Sequence, residues 1–275
     1  MLDSSAPVVL AFDRVSLRFG DDFVLRGVSF SVRRGESMIV LGAAGSGKTV
    51  LLKTALGLLP ATEGRIELFG EDVTGLDEQS WYDRRGRVGV LFQEGGLFDS
   101  LTIEENVAYP LLNQPRLACP EDEVARRVEE SLRFVELAHT LDKFPSELSG
   151  GMRRRVGIAR AIVTQPDLLL YDSPTAGLDP ITANTIIALV IKGRDVRHAT
   201  TFMVTHRYQD GQLLSGYRYE PETGELLALN GGHSTARTHY LVLREGSVVF
   251  DGSQEELEAS PDPYVQRFVR REEGV

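Results

Sequence analysis

The chain has 275 residues, 42% of them hydrophobic, and a formal net charge of -10. That length suits one large domain or two small ones with a packed core. The acidic balance argues against a sequence-independent nucleic-acid surface, which needs a basic face. A lone Cys119 excludes an internal disulfide, and with no secretory leader across residues 1–7 it predicts a reducing cytosol. No apolar run reaches the roughly eighteen residues that span a bilayer, so a transport role would need a separate membrane partner.

In chain order, residues 8–19 alternate apolar and polar, with Val15, Leu17 and Phe19 on one face, the period of a half-buried strand. Val28, Phe30 and Val32 repeat it, predicting an antiparallel patch ahead of a nucleotide core. Phe19 fits either an ordinary strand position or a ring stacked on an adenine. After an apolar strand at residues 37–41 come Gly42, Ala43, Ala44, Gly45, Ser46, Gly47, Lys48 and Thr49. This is the phosphate-loop pattern in its required context of strand, loop and helix, with the helix predicted over residues 48–59. Small residues let successive N–H groups turn around a polyphosphate, and the helix points its positive end at the same anion. Lys48 would reach the β and γ phosphates of ATP, and Thr49 would offer its hydroxyl to Mg²⁺.

A short strand at residues 65–69, a helix at 77–85 and a strand at 87–92 follow. The last ends at Gln93, which fits a loop residue or an amide ligand to Mg²⁺ that senses the γ phosphate. From residue 101 to about 164 helix periodicity replaces strand signals, within a helical subdomain set at about residues 97–164. Val124, Val128, Leu132 and Val135 form one apolar stripe, and Pro120 with three following acids makes a helix start. This predicts a helical insertion. It closes at Leu148, Ser149, Gly150, Gly151 and Met152, with Ser149 where an N-cap belongs. Arg153, Arg154 and Arg155 then oppose the helix dipole, which fits an external anion or partner, or else a solvated basic face. A buried strand at residues 168–171 ends in Asp172, a carboxylate placed for Mg²⁺. A loop through Asp179 leads to a helix over residues 181–192. A strand at residues 200–204 ends near His206, which fits a γ-phosphate contact or a surface histidine.

Taken in this order, these residues resemble the ATPase subunit of an ABC transporter. The likeness runs over residues 8–252 as a single domain, with the helical part inserted and residues 253–275 left as a short helical tail. Residues 42–49 match the Walker A loop, Gln93 the Q-loop, residues 148–152 the signature motif, 168–172 the Walker B strand, 176–179 the D-loop, and His206 the switch histidine. Phe19 falls at the adenine-stacking position. The resemblance implies an α/β fold, a RecA-like phosphate-loop core with an antiparallel β patch and an inserted α-helical subdomain. It also implies a head-to-tail homodimer in which Ser149, Gly150, Gly151 and Asp179 serve the nucleotide of the opposite subunit. Closure on ATP would drive membrane subunits, with the chain peripheral on the cytoplasmic face of the inner membrane.

A narrower likeness joins Leu91, Phe92 and Gln93 to residues 95–98, then residues 106–110, the Gly-Gly-Met-Arg form of the signature, and residues 260–263. These resemble the ATPases of Mla-type and Mkl-type systems. Such systems imply an MlaE-type permease, an MCE-domain lipid carrier and a lipid or other hydrophobic cargo. Soluble relatives that act on nucleic acid or ribosomes carry paired cassettes or coiled-coil insertions, and neither is present.

Two departures stand out. Ser173 occupies the position where the family normally places a glutamate that polarises the attacking water, and a hydroxyl is no base near neutral pH without a neighbour to take its proton. Losing a general base costs about 10² to 10⁴ in rate. The site is therefore slow or inactive, or another acid such as Glu94 or Asp179 stands in, or the serine was introduced deliberately. An ATP-binding regulatory or assembly module with little hydrolysis is the alternative function. Secondly, residues 211–237 exceed the family's usual connection, and residues 217–220 and 225–229 read as a hairpin around Pro221 to Gly224. This is either a tolerated surface insertion or a docking element.

Overall fold

A computed structural model describes residues 6–93, 95–114, 119–229 and 237–270. Strands β1 (Val8–Phe19) and β2 (Asp22–Arg33) form a long antiparallel ribbon, to which β4 (Glu63–Leu68) and the short β5 (Glu71–Asp72) add in the order β2-β1-β4-β5. The central sheet has six strands in the order β12-β11-β3-β8-β7-β6. They are β3 (Ser37–Gly42), β6 (Val88–Leu91), β7 (Leu168–Asp172), β8 (Thr200–Thr205), β11 (Thr238–Arg244) and β12 (Ser247–Gly252). All neighbours are parallel except β12 against β11.

Because side chains alternate across a strand, a sheet covered on both sides needs apolar residues at every position. β3, β7 and β8 meet that demand, being buried throughout. Met38, Val40, Leu170, Phe202 and Val204 face the antiparallel sheet and α1 (Lys48–Ala55). There Phe12, Phe30 and Phe202 stack in a row at centroid distances of 4.8 and 5.5 Å. Ile39, Leu41, Tyr171, Met203 and Tyr240 face the other core, made with the helices.

The helical insertion contributes α3 (Ile103–Asn113), α4 (Glu121–Phe134) and α5 (Gly150–Ile162). The expected stripe of Val124, Val128, Leu132 and Val135 is buried in the second core. The acids Glu121, Asp122 and Glu123 occupy the first turn of α4, where they complement its dipole. α2 (Glu78–Arg85) starts at an Asp77 cap, and α6 (Pro180–Arg197) and α7 (Tyr208–Gly216) flank β8 in sequence. α8 (Gln254–Glu258) and α9 (Pro263–Val269) complete the chain.

Two helices differ from their expected lengths for local reasons. α1 stops at Ala55 rather than continuing to residue 59, because Gly57 turns left-handed (φ 65°). A Cβ there would sit 2.0 Å from the Trp81 ring, so the indole occupies the volume that further helix would need. α6 runs on from residue 192 to Arg197, where His198 (φ 51°) ends it as a left-handed cap.

The predicted hairpin is present as β9 (Tyr217–Glu220) and β10 (Glu225–Ala228); residues 230–236 of the longer connection lie outside the described residues. It is fastened to α6 by a buried ion pair. Arg194 meets Asp195 in a two-pronged contact of 2.6 and 2.9 Å and donates to the carbonyls of Leu214 and Tyr217, while the Tyr219 N–H donates to Asp195 at 2.8 Å. Lys192 adds contacts to the rings of Phe134 and Tyr219 at 4.4 and 5.5 Å. An excision of residues 212–236 would therefore remove the fully buried Leu214 and half the partners of Arg194, so a docking role is better tested by shortening only residues 221–224.

Two stability measurements check this packing. Asp195→Ala leaves a buried guanidinium without its anion and is expected to cost about 3 to 5 kcal/mol in urea unfolding; a loss below about 1 kcal/mol would contradict the burial. Where α5 meets α6, a Cβ on Gly151 would lie 2.5 Å from Thr182 Cγ2. Gly151→Ala is expected to lose about 1 to 3 kcal/mol by overpacking, and Thr182→Ser, which removes that methyl, should restore most of it.

Candidate functional site

In the parallel register Leu91 sits beside Tyr171, Asp172 beside Val204, and Thr205 beside Leu41. The carboxyl ends of β6, β7, β8 and β3 therefore lie side by side. Gln93, Ser173, His206 and the loop from Gly42 leave from that one edge, the usual place for a ligand on an open α/β sheet.

The loop after β3 is closely wrapped. A Cβ on Gly42 would fall 2.4 Å from Ser46 Oγ and 2.7 Å from the Leu243 carbonyl, so only glycine lets the turn close. Gly47 caps α1 at φ 103° with no side chain satisfying the first-turn N–H groups. A helix end built this way leaves donors for an anion. Lys48 is buried and donates to the carbonyls of Gly42 and Ala43, each at 2.8 Å. Burial lowers its pKa, and the nearby Asp172 partly offsets that.

The Thr49 hydroxyl donates to Asp172 Oδ1 at 3.3 Å, and the Ser173 hydroxyl donates to the same oxygen at 3.2 Å. Asp172 is itself buried. A hydroxyl and a carboxylate converging at the foot of an anion-binding loop are hard oxygen donors suited to Mg²⁺ beside a polyphosphate. This donor set fits ATP with Mg²⁺. Among the described residues no group of three or more His, Cys, Asp or Glu forms a metal cluster, so a cation here would share its coordination with phosphate oxygens.

Ser173 adopts φ 47°, a left-handed conformation uncommon for a non-glycine residue, and its side chain is buried. Strain of this kind is held where surrounding contacts over-determine the backbone. Of the two acids proposed to substitute for a glutamate there, Glu94 lies outside the described residues. Asp179 caps α6, accepting from the Thr182 hydroxyl and from the Ile181 and Thr182 N–H groups. The bonds from Thr182, side chain first, hold its pKa below the ordinary carboxylate value. That makes it a poorer base.

The remaining expected residues are exposed. Gln93 leaves β6 at the surface and His206 leaves β8 likewise. Phe19 is 53% exposed at the β1-β2 turn. Ser149 caps α5 by accepting from the Met152 N–H, and no hydrogen bond joins it to Lys48, Thr49 or Asp172.

The arginine triplet finds acceptors inside the chain. Arg154 is buried and donates to the carbonyls of Ser173, Pro174 and Ala176. Arg153 donates to the Leu148 carbonyl and Arg155 to that of Val135. The acceptors that offset a cationic first turn come from inside the chain. Sequence reading also passed over Asp210. Its buried Oδ2 accepts from the hydroxyls of Thr175 and Thr205, both at 2.7 Å. Burial raises its pKa, against the pull of the two threonines, Arg207 and His206. The available signal was an acid four residues before Leu214 on the apolar side of α7, where nothing but an internal partner makes sense of it.

A family model described as "ABC transporter" matches residues 25–176. The chain is 33% identical to the chloroplastic protein TRIGALACTOSYLDIACYLGLYCEROL 3 of Arabidopsis thaliana over 98% of its own length and 75% of that protein. It is 32% identical to the intermembrane phospholipid transport system ATP-binding protein MlaF of Escherichia coli K12, over 93% and 86% respectively. It is 39% identical to the methionine import ATP-binding protein MetN of Rhizobium etli, but over 75% of this chain and only 56% of that protein. Among solved structures, a dimeric ATP-binding cassette in a post-hydrolysis state with ADP and Pi superimposes with a TM-score of 0.73 at 28% identity, covering 89% of this chain and 98% of the other. cbiO1 from Clostridium perfringens gives 0.76 at 26%, covering 95% and 94%. The fold, the loop and these relatives agree that the chain belongs to the ABC transporter family, as an ATP-binding subunit.

Proposed function

We propose that this subunit couples ATP binding and hydrolysis to movement of a lipid or another hydrophobic molecule through a membrane permease. The observation that carries the ATPase half is the meeting of Thr49 and Asp172 at 3.3 Å directly below the phosphate loop. In this reading Lys48 and the loop amides of residues 42–49 hold the β and γ phosphates, Thr49, Asp172 and Gln93 hold Mg²⁺, and Phe19 stacks on the adenine. Bound Mg²⁺ would supply charge neutralisation at the transferring phosphate. His206 reaches the γ phosphate from the neighbouring strand end. Ser149, Gly150, Gly151 and Asp179 act on the nucleotide of a second copy arranged head to tail.

The lipid half rests on likeness over nearly the whole chain to proteins named for phospholipid and trigalactosyldiacylglycerol systems; the methionine-import relatives match a shorter part. An MlaE-type permease and an MCE-domain lipid-binding protein are the partners this reading implies, with the chain at the cytoplasmic face of the inner membrane. No described helix is long and apolar enough to cross a membrane. Phe98, Tyr109 and Leu112 are exposed beside the turn after β6, the Phe98 and Tyr109 rings 4.7 Å apart. An apolar patch there suits a helix of the permease.

A second reading, an ATP-binding regulatory or assembly module with little turnover, is favoured by Ser173 alone. Phosphoryl transfer depends chiefly on positioning and charge stabilisation, so slow hydrolysis is compatible with a serine. Steady-state phosphate release from the membrane-assembled complex separates the two. We expect slow but measurable turnover, and Ser173→Glu should raise it at least tenfold; an unchanged rate would mean that another group already activates the water. Mass spectrometry of the complex purified from membranes should find bound phospholipid, whereas a polar solute such as an amino acid would refute the lipid assignment.

A further inference from the structure

We propose that Asp210 is a positioning residue that locks the switch segment carrying His206 to the turn carrying Ser173. The inference rests, for its kinetic arm, on the ATPase reading above. Three elements meet on one carboxylate, one of them 35 residues away along the chain. Thr175 lies in the turn after β7, Thr205 is the last residue of β8, and Asp210 projects from the first turn of α7. All three are buried, Thr175, Thr205 and Asp210 each showing only 1% of their surface. Both threonine hydroxyls donate to the same Oδ2 at 2.7 Å, and Arg207 Nε lies 3.6 Å from Oδ1. Thr205 Oγ1 in turn accepts from the Arg207 N–H at 3.1 Å. A continuous run of hydrogen bonds thus leads from the peptide just after His206, through Thr205 and Asp210, to the turn two residues past Ser173.

The chemistry favours an acid over an amide here. A buried acid is costly unless its lone pairs are filled, and these are filled by donors that both belong to catalytic segments. An asparagine could accept the two hydroxyls through its carbonyl only by turning its NH₂ group against the Arg207 guanidinium, donor against donor. Arg154 grips the other side of the same turn at the Ser173, Pro174 and Ala176 carbonyls. Held by the arginine from α5 and by Asp210 from α7, the turn cannot shift without drawing on the switch segment. Movement of residue 173 and movement of residue 206 therefore become one event.

A double-mutant cycle with a separate structural readout tests this. Thr175→Val keeps shape and removes the hydroxyl; it should lower kcat for ATP hydrolysis at least tenfold with KM for ATP within threefold, and Thr175→Ser, which restores the donor, should stay within threefold of the parent. Because the run needs both threonines and losing either one already breaks it, adding Thr205→Val to Thr175→Val should cause no further loss beyond threefold. Multiplying losses, or a Thr175→Ser variant as slow as Thr175→Val, would overturn the lock. If Thr205→Val does not fold, Asp210→Asn takes its place in the same cycle. The cycle is run in the parent chain and in the Ser173→Glu background. Hydrogen exchange of the Arg207 amide needs no turnover at all: Thr175→Val should speed it at least tenfold across a gap of some thirty residues, and an unchanged rate refutes the proposal even if the chain hydrolyses nothing.

Discussion

The site depends on one constraint, the common edge at which four parallel strands stop. Parallel pairing fixes the register of β6, β7, β8 and β3, so a one-residue slip of any of them would turn its side chains to the opposite face and displace the residue that follows it. Burial on both faces enforces that register, since no strand can slide without exchanging Ile39 for Met38 or Tyr171 for Leu170 between two different cores. The phosphate loop, Asp172 and His206 hold their mutual placement because they are the ends of elements that cannot move independently.

A second layer of constraint acts on the loops themselves. Backbone beyond a strand end loses its ladder partners, and here side chains from the helices replace them. Arg154 supplies donors to three carbonyls and Asp210 supplies an acceptor to two hydroxyls. Both are buried polar side chains, and each is matched to groups that would otherwise be unsatisfied. The left-handed Ser173 sits between them, which explains how a conformation disfavoured in isolation persists.

Much of this was legible before any coordinates. Strand alternation, the apolar stripe of α4, the Ser149 cap and the glycine spacing of the phosphate loop are local patterns that one segment carries by itself. What stayed hidden was non-local. Nothing near Gly57 announces that Trp81 will cover it and end α1 early. Three arginines in a helix's first turn read as a surface for something external, because the acceptors of Arg154 lie about twenty residues further along the chain and that of Arg155 lies 20 residues back. Asp210 was passed over for the same reason: its partners come from two other strand ends, and a lone acid in a short helix has no spacing that names them.

The contact between Trp81 and Gly57 has a use of its own. Trp81 is the chain's single tryptophan, it is buried, and its ring stands against the glycine that ends the phosphate-loop helix, with the Arg85 guanidinium 5.6 Å from its centre. Indole emission is sensitive to nearby charge and to water, and no other residue contributes when only tryptophan is excited. The protein thus carries a built-in fluorophore at the far end of the helix whose near end faces the nucleotide. Changes in that helix can be followed optically without attaching a label.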